Sequence, residues 1–216
     1  MRVRTAKSLD FGNFIARQDS KGILYFRRKQ VIFSQGDRND SLFYIEEGSV
    51  KLSVSSNLGK QAVIGILSGG DIFGETCVMS QQRGRSYTAV ALTDVRLLKM
   101  KREEVVRAFT TDPAIAYSFI TYVLRNSMRA QDNLADNLLH STELRLARAL
   151  WLLADLQKRN EFDPAFRISQ QMLAEMIGTT RQRVNILMGR FRKRGLIRYD
   201  GALRVRPAIL RVRRKR

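Results

Sequence analysis

Arg181, Gln182, Arg183, Asn185 and Arg190 share one ten-residue span, and each carries groups that suit nucleic acid. Arginine forks onto guanine, glutamine and asparagine can pair with both edge groups of adenine, and surplus cations hold phosphates. A second group lies upstream, where Gly74, Glu75 and Thr76 are followed by Arg85 and Ser86. Amides opening a short segment at Gly74 can face a phosphate, with Arg85 as counter-charge and Ser86 as a hydroxyl donor. That chemistry suits a phosphate. An internal Glu75–Arg85 salt bridge in a pocket without a ligand is the competing account.

For the first group to read a duplex, a helix must hold it outward. Helices that cross steeply need a small residue at the crossing, a glycine in the turn and apolar residues behind. Ala174 sits at the expected crossing, Gly178 opens the turn, and Thr180 caps the next helix. Val184, Leu187 and Phe191 then point inward, leaving Arg181, Gln182, Arg183, Asn185, Ile186 and Arg190 exposed. Behind this helix, Ile197 to Tyr199, the turn Asp200-Gly201 and Leu203 to Val205 read as a hairpin, or wing. Lys193, Arg194, Arg198, Arg204 and Arg206 on or beside it are expected phosphate anchors.

The charge distribution points the same way. Of a net +19 over 216 residues, residues 1–140 carry +6, residues 141–180 carry 0 and residues 181–216 carry +13. A block of that density attracts phosphate polymers and releases their counterions. With one cysteine, Cys77, and one histidine, His140, the chain cannot build an internal disulfide, an iron–sulfur site or a multi-histidine metal site. Cys77, among apolar neighbours, reads as a buried small hydrophobe, and His140 as a helix-end or hinge residue. The apolar runs are too short to span a membrane or form a signal peptide, so a cytoplasmic protein without membrane attachment is expected. Beyond Glu75 and Asp71 no carboxylates converge for nucleotide chemistry, so an enzyme is not expected.

From Gly22 to Leu98, short β-branched and aromatic runs alternate with turns, which favours a small antiparallel barrel or jelly roll. Glu46-Glu47-Gly48, Ser55 to Lys60 and Ser68-Gly69-Gly70-Asp71 are each expected to close a hairpin. Thr111-Asp112-Pro113 then starts a long helix. Along it Ile120, Leu124, Ser127, Gln131, Leu134 and Leu138 form a heptad seam, apolar at both ends and polar in the middle, which suggests a paired helix. Ile115, Phe119 and Val123 offer a competing face toward the chain's own domain. After Ser141-Thr142 a further helix runs to about Lys158, with a loop from Asn160 to Pro164 and the last segment beginning at Ile168.

Three signatures fall in one order: Gly70-Asp71-Ile72-Phe73-Gly74-Glu75 with Arg83-Gly84-Arg85-Ser86, the long helix, and Ile168-Ser169-Gln170-Gln171 through Gly178, Arg181 and Val184. Together they resemble the cyclic-AMP receptor protein/fumarate-nitrate regulator (Crp/Fnr) superfamily of bacterial transcription factors over most of the chain. The resemblance implies an α+β fold. Residues 1–20 would be an N-terminal segment, 21–110 a cyclic-nucleotide-binding-like β-roll (jelly roll), 111–139 a dimerisation helix and 140–216 a winged helix-turn-helix domain. It further implies a homodimer on a palindromic DNA operator, RNA polymerase as a partner, and cyclic AMP or another cyclic nucleotide as effector. On that resemblance Glu75 accepts a hydrogen bond from the ribose hydroxyl and Arg85 pairs with the phosphate, with Gly74, Thr76 and Ser86 around them. The DNA contacts would come from Thr180, Arg181, Gln182, Arg183, Asn185, Arg190 and Lys193. Cyclic-AMP receptors place a Thr-Ser pair where this chain has Ala130 and Gln131, so Gln131 could instead bond a base across the dimer, or its partner Gln131. Well-known members also carry an acidic residue where Gln182 stands and an arginine where Ile186 stands. Cyclic GMP, a cyclic dinucleotide, and a ligand-independent or architectural DNA-binding protein with a degenerate pocket stay open as alternatives.

Overall fold

Among the described residues from Gly22 to Lys101, short β-branched and aromatic runs cut by turn residues form eight strands in two sheets. They are β1 (Gly22–Phe26), β2 (Val31–Phe33), β3 (Ser41–Glu47), β4 (Ser49–Ser55), β5 (Gln61–Ser68), β6 (Ile72–Phe73), β7 (Thr88–Ala91) and β8 (Val95–Lys101). One sheet has the order β1-β8-β3-β6 and the other β2-β7-β4-β5, a jelly roll as the turn spacing implied. In β7 the side chains alternate, with Ala89 and Ala91 buried and Thr88 and Val90 only half-buried. The computed structural model describes residues 14–15, 22–79, 84–158, 169–199 and 203–211. The chain divides into two compact units, the first made of residues 1–52 with 65–129 and the second of residues 53–64 with 130–216. Arg83, the loop from Asn160 to Pro164, Ile168 and the wing turn Asp200-Gly201 lie outside the described residues.

Of the three expected hairpins, one forms. Ser55 to Lys60 joins the neighbouring strands β4 and β5, with the Ser56 amide donating to the Lys60 carbonyl at 2.8 Å. Glu46-Glu47-Gly48 instead carries the chain from β3 in one sheet to β4 in the other, and Ser68 to Asp71 carries it back from β5 to β6. Gly48 makes the first corner feasible: its φ is +88°, and a Cβ there would lie 2.2 Å from the Asp94 carbonyl oxygen. The next residue is fixed by the Ser49 amide donating to Thr93 Oγ1 at 2.9 Å.

Helices that follow β8 contribute to the first unit's core. Helix α1 (Arg102–Thr111), which the sequence reading did not anticipate, follows β8 directly, and the Glu104 carboxylate accepts from the Lys101 amide at 2.8 Å. Helix α2 (Pro113–Leu139) starts where expected, with Asp112 Oδ1 accepting from the Ala114 amide. Ile115, Phe119 and Tyr122 of α2 pack with Leu42, Ile72 and Leu98 of the sheets. Strand β6 lies at the edge of its sheet, and Tyr122 closes that edge: its hydroxyl donates to the Ile72 carbonyl at 2.6 Å and accepts from the Ile72 amide at 2.9 Å. Both faces read from the sequence are therefore present. Ile120, Leu124, Leu134 and Leu138 of the seam are 55 to 75% exposed.

In the second unit α3 (Thr142–Lys158) is the scaffold for α4 (Gln170–Ile177), α5 (Arg181–Lys193) and the hairpin β9 (Ile197–Tyr199) and β10 (Leu203–Val205). Leu146, Leu150, Leu173, Val184, Phe191 and Ile209 are buried there. At the α2 end, Asp136 pairs with Arg148 and approaches His140 Nε2 at 3.4 Å, while Arg145 donates to Asn137 at 2.9 Å. His140 thus sits at a helix end. No described helix is long and apolar enough to cross a membrane.

Candidate effector site and nucleic-acid interface

Because side chains alternate along the segment leading into β7, Arg85 and Tyr87 both enter the jelly roll while Ser86 stays exposed. The backbone there is laced to an earlier loop, with the Arg85 amide donating to the Asp37 carbonyl and the Gly36 amide to the Arg85 carbonyl, both at 2.8 Å. Arg85 is only 4% exposed, with its guanidinium 4.3 Å from the Phe33 ring centroid and 5.4 Å from that of Phe43. Its Nη1 donates to Asn39 Oδ1 at 2.8 Å and its Nη2 to Ser41 Oγ at 3.0 Å. Asn39 in turn donates to Thr76 Oγ1, and Ser41 to the Asp40 carboxylate. Arg85 Nε is buried without a hydrogen-bond partner. Burial pulls the guanidinium pKa down, yet its direct partners are neutral groups. A cation held this way is costly to a fold and characteristic of a functional site.

Gly74 precedes a single 3-10 turn, Glu75–Val78, and adopts the left-handed conformation. A Cβ on Gly74 would stand 2.6 Å from Arg85 Nη1 and 2.9 Å from the Ser41 carbonyl oxygen, so only glycine fits. The expectation of free amides at this turn needs correction at Gly74. The Gly74 amide donates to the Tyr87 hydroxyl at 2.7 Å, and that hydroxyl donates to Glu75 Oε2 at 3.3 Å. Tyr87 is 6% exposed and packs 5.6 Å from the Phe33 centroid. Burial and the neighbouring Glu75 carboxylate push its pKa well above the ordinary tyrosine value. The Glu75–Arg85 salt bridge does not form, because Glu75 takes Tyr87 and Arg85 takes Asn39 and Ser41.

The structure therefore brings Gly74, Glu75, Thr76 and Arg85 together. Gln131 is exposed on α2, in the second unit. Sequence reasoning missed Asn39, Ser41 and Tyr87; only Tyr87, two residues after Arg85 and so on the same strand face, was within reach of it. Cys77 is fully buried, and desolvation pushes its thiol up to about 12.

The second constellation assembles as read. Ser169 Oγ accepts from the Met172 amide and Thr180 Oγ1 from the Arg183 amide, so each helix of the pair starts on a hydroxyl cap. Between them Gly178, at φ 62°, carries the left-handed turn, and the Thr179 amide returns to the Ala174 carbonyl. Ala174, Val184, Leu187 and Phe191 are buried, whereas Thr180, Arg181, Gln182, Arg183, Asn185, Ile186, Arg190 and Lys193 are all exposed. Gln170 Nε2 donates to Asn185 Oδ1 at 3.1 Å, a contact the sequence did not suggest. Strands β9 and β10 pair antiparallel, Arg204 opposite Arg198, and Arg192, Arg198, Arg204 and Arg206 help line a cavity of about 510 Å3 beside them. Arg194, expected as a phosphate anchor, approaches Glu143 at 3.4 Å.

Comparison with known proteins gives two domain matches. Residues 23–112 match the cyclic nucleotide-binding domain and residues 144–211 the Crp-like helix-turn-helix domain. A cyclic AMP receptor protein of Thermus thermophilus is 30% identical over 192 residues, covering 86% of this chain and 87% of the relative. A CRP-like cAMP-activated global transcriptional regulator of Mycobacterium tuberculosis is 27% identical over 179 residues, covering 82% of this chain and 80% of the relative. Among solved structures, the c-di-GMP responsive global regulator CLP of Xanthomonas campestris superposes with a TM-score of 0.73 at 21% identity, covering 89% of this chain and 95% of that one.

Proposed function

As a member of the Crp/Fnr superfamily, this chain is a DNA-binding regulator of transcription and not an enzyme, and we propose that it acts as a homodimer whose β-roll takes a cyclic nucleotide. The observation that carries the DNA-reading assignment is the exposed face of α5, seated on a glycine turn and a buried apolar face within the most cationic stretch of the chain. Arg181, Gln182 and Asn185 supply most base discrimination, Arg183 touches base or phosphate, and Thr180, Arg190 and Lys193 bind the backbone. Two such helices, held by pairing of the exposed α2 seams, address half-sites about 34 Å apart on a palindromic operator. RNA polymerase is the partner that reads the result, in the cytoplasm.

For the effector, Glu75 faces the sugar hydroxyl, Arg85 answers the phosphate, and Gly74, Thr76 and Ser86 border it, while Gln131 is a contact made across the dimer. Cyclic AMP leads because the relatives named for it cover most of the chain. A ligand whose affinity differs between two states of the dimer shifts its operator binding, and by reciprocity the operator shifts the ligand. A selection on randomised duplexes followed by calorimetry of cyclic AMP with and without the selected site tests both halves. No enriched sequence would overturn the DNA-reading assignment, and equal nucleotide affinity in both titrations would overturn the coupling. One observation favours an effector-independent regulator as the second reading: the Gly74 amide and Glu75 already have a partner in Tyr87.

A further inference from the structure

We infer that Tyr87 is an internal competitor for the effector's sugar, a specificity-determining residue that any ribose-bearing ligand must displace. The inference rests on the proposal that the β-roll takes a cyclic nucleotide. A sugar hydroxyl brought to this turn would need one donor to accept from and one carboxylate to donate to. The Tyr87 hydroxyl already has both, accepting from the Gly74 amide at 2.7 Å and donating to Glu75 Oε2 at 3.3 Å. It is the same chemical group, an alcohol-type O–H, supplied from within the chain. The ring behind it is anchored by tilted packing on Phe33, whose other neighbours are Phe43 and Phe73, so the hydroxyl is preorganised.

Arg85 shares this arrangement. Its guanidinium lies over Phe33, the ring that also supports Tyr87, and it is spent on Asn39 and Ser41 rather than on an anion. Entry of a ribose phosphate therefore exchanges Tyr87 for the sugar at Gly74 and Glu75, and Asn39 and Ser41 for phosphate oxygens at Arg85. Hydrogen bonds are traded one for one, which leaves a small net gain and weak binding. Removing the Tyr87 hydroxyl changes that balance, since it strands a buried amide that only an incoming hydroxyl can satisfy.

Calorimetric titration of cyclic AMP and cyclic GMP into the full-length protein and into Tyr87→Phe and Tyr87→Ala tests this, with folding checked by circular dichroism. The expected result is binding about tenfold tighter in Tyr87→Phe, since that factor corresponds to the two hydrogen bonds no longer broken. Tyr87→Ala, which also removes the ring, gains at least as much, and adding Arg85→Ala to Tyr87→Phe abolishes the gain. If the unaltered protein binds and neither variant binds more tightly, Tyr87 is no competitor, while the cyclic-nucleotide reading stands. If none of the three proteins binds either nucleotide, both fall. Should the variants not fold, fluorotyrosine at position 87 of the otherwise unaltered chain keeps the question open to measurement. Its 19F resonance moves when millimolar nucleotide displaces the phenol, and an unmoved resonance overturns the inference.

Discussion

Replacing Tyr122 by phenylalanine removes one oxygen atom and with it both hydrogen bonds to Ile72, and leaves the ring in place. The Tyr122 hydroxyl is the partner of both polar groups of Ile72, the amide at 2.9 Å and the carbonyl at 2.6 Å, and Ile72 is 2% exposed. Each buried group left without its partner costs about 1 to 3 kcal/mol, and both the amide and the carbonyl of Ile72 are stranded. A loss of about 2 to 6 kcal/mol follows, or about 1 to 3 M in urea midpoint for an m-value near 2 kcal/mol/M. Urea unfolding separates this from a general effect, because the single tryptophan, Trp151, lies in α3 and reports the second unit. Far-ultraviolet circular dichroism should show an earlier transition from the first unit, while Trp151 fluorescence keeps its midpoint. A change below about 0.5 kcal/mol would mean that water reaches Ile72 and that Tyr122 does not seal the β6 edge. Ile72 precedes Gly74 by two residues, so the same variant should also weaken the response of operator binding to nucleotide.

Gly48→Ala should cost at least about 3 kcal/mol, combining left-handed strain with a Cβ driven into the Asp94 carbonyl, and a thermal melt with no loss would contradict the crossing geometry. Gly189→Ala should stabilise by about 0.5 to 1 kcal/mol, since Gly189 lies inside α5 with nothing within 4 Å of an added Cβ; the Trp151 urea curve reports it. Gln170 occupies the Asn185 carbonyl oxygen and leaves its amide hydrogens to donate outward, so Asn185 should favour base acceptors such as purine N7. Gln170→Ala should then shift the selected sequence at the Asn185 position by about 1 to 3 kcal/mol of discrimination, and an unaltered consensus would refute the pairing. Cys77 should resist alkylation at pH 8 in the folded protein, because its thiol is raised from 9.0 to about 12. The same shift means the folded state holds a proton that the unfolded state releases, so stability should fall as pH climbs from about 9 to about 12; rapid labelling at pH 8 would place the thiol elsewhere.

What the sequence disclosed is what depends on neighbours. The pair α4 and α5 is specified within Ser169 to Lys193 by two caps, one glycine and a 3.6-residue apolar period, and every residue expected on its outer face is exposed. The turn at Gly48 was visible as a turn, but a glycine codes the reversal and not the sheet that receives the next strand, so a crossing was read as a hairpin. Helix α1 escaped because no glycine or proline separates it from β8. Arg85 is the hardest case. A lone arginine reads as a surface cation or half of an ion pair, whereas its burial depends on Asn39 and Ser41, more than forty residues away, and on the rings of Phe33 and Phe43.

In the proposed pairing of α2 seams, the two hydrophilic positions in the middle, Ser127 and Gln131, would serve as a registration mark. Slide one helix of a pair by a heptad and Gln131 meets a leucine, losing any group that could answer its amide at a cost of about 1 to 3 kcal/mol per mismatched layer. Only the unshifted alignment sets amide against amide, so two chains that meet along this stripe are brought level before anything else about them is decided.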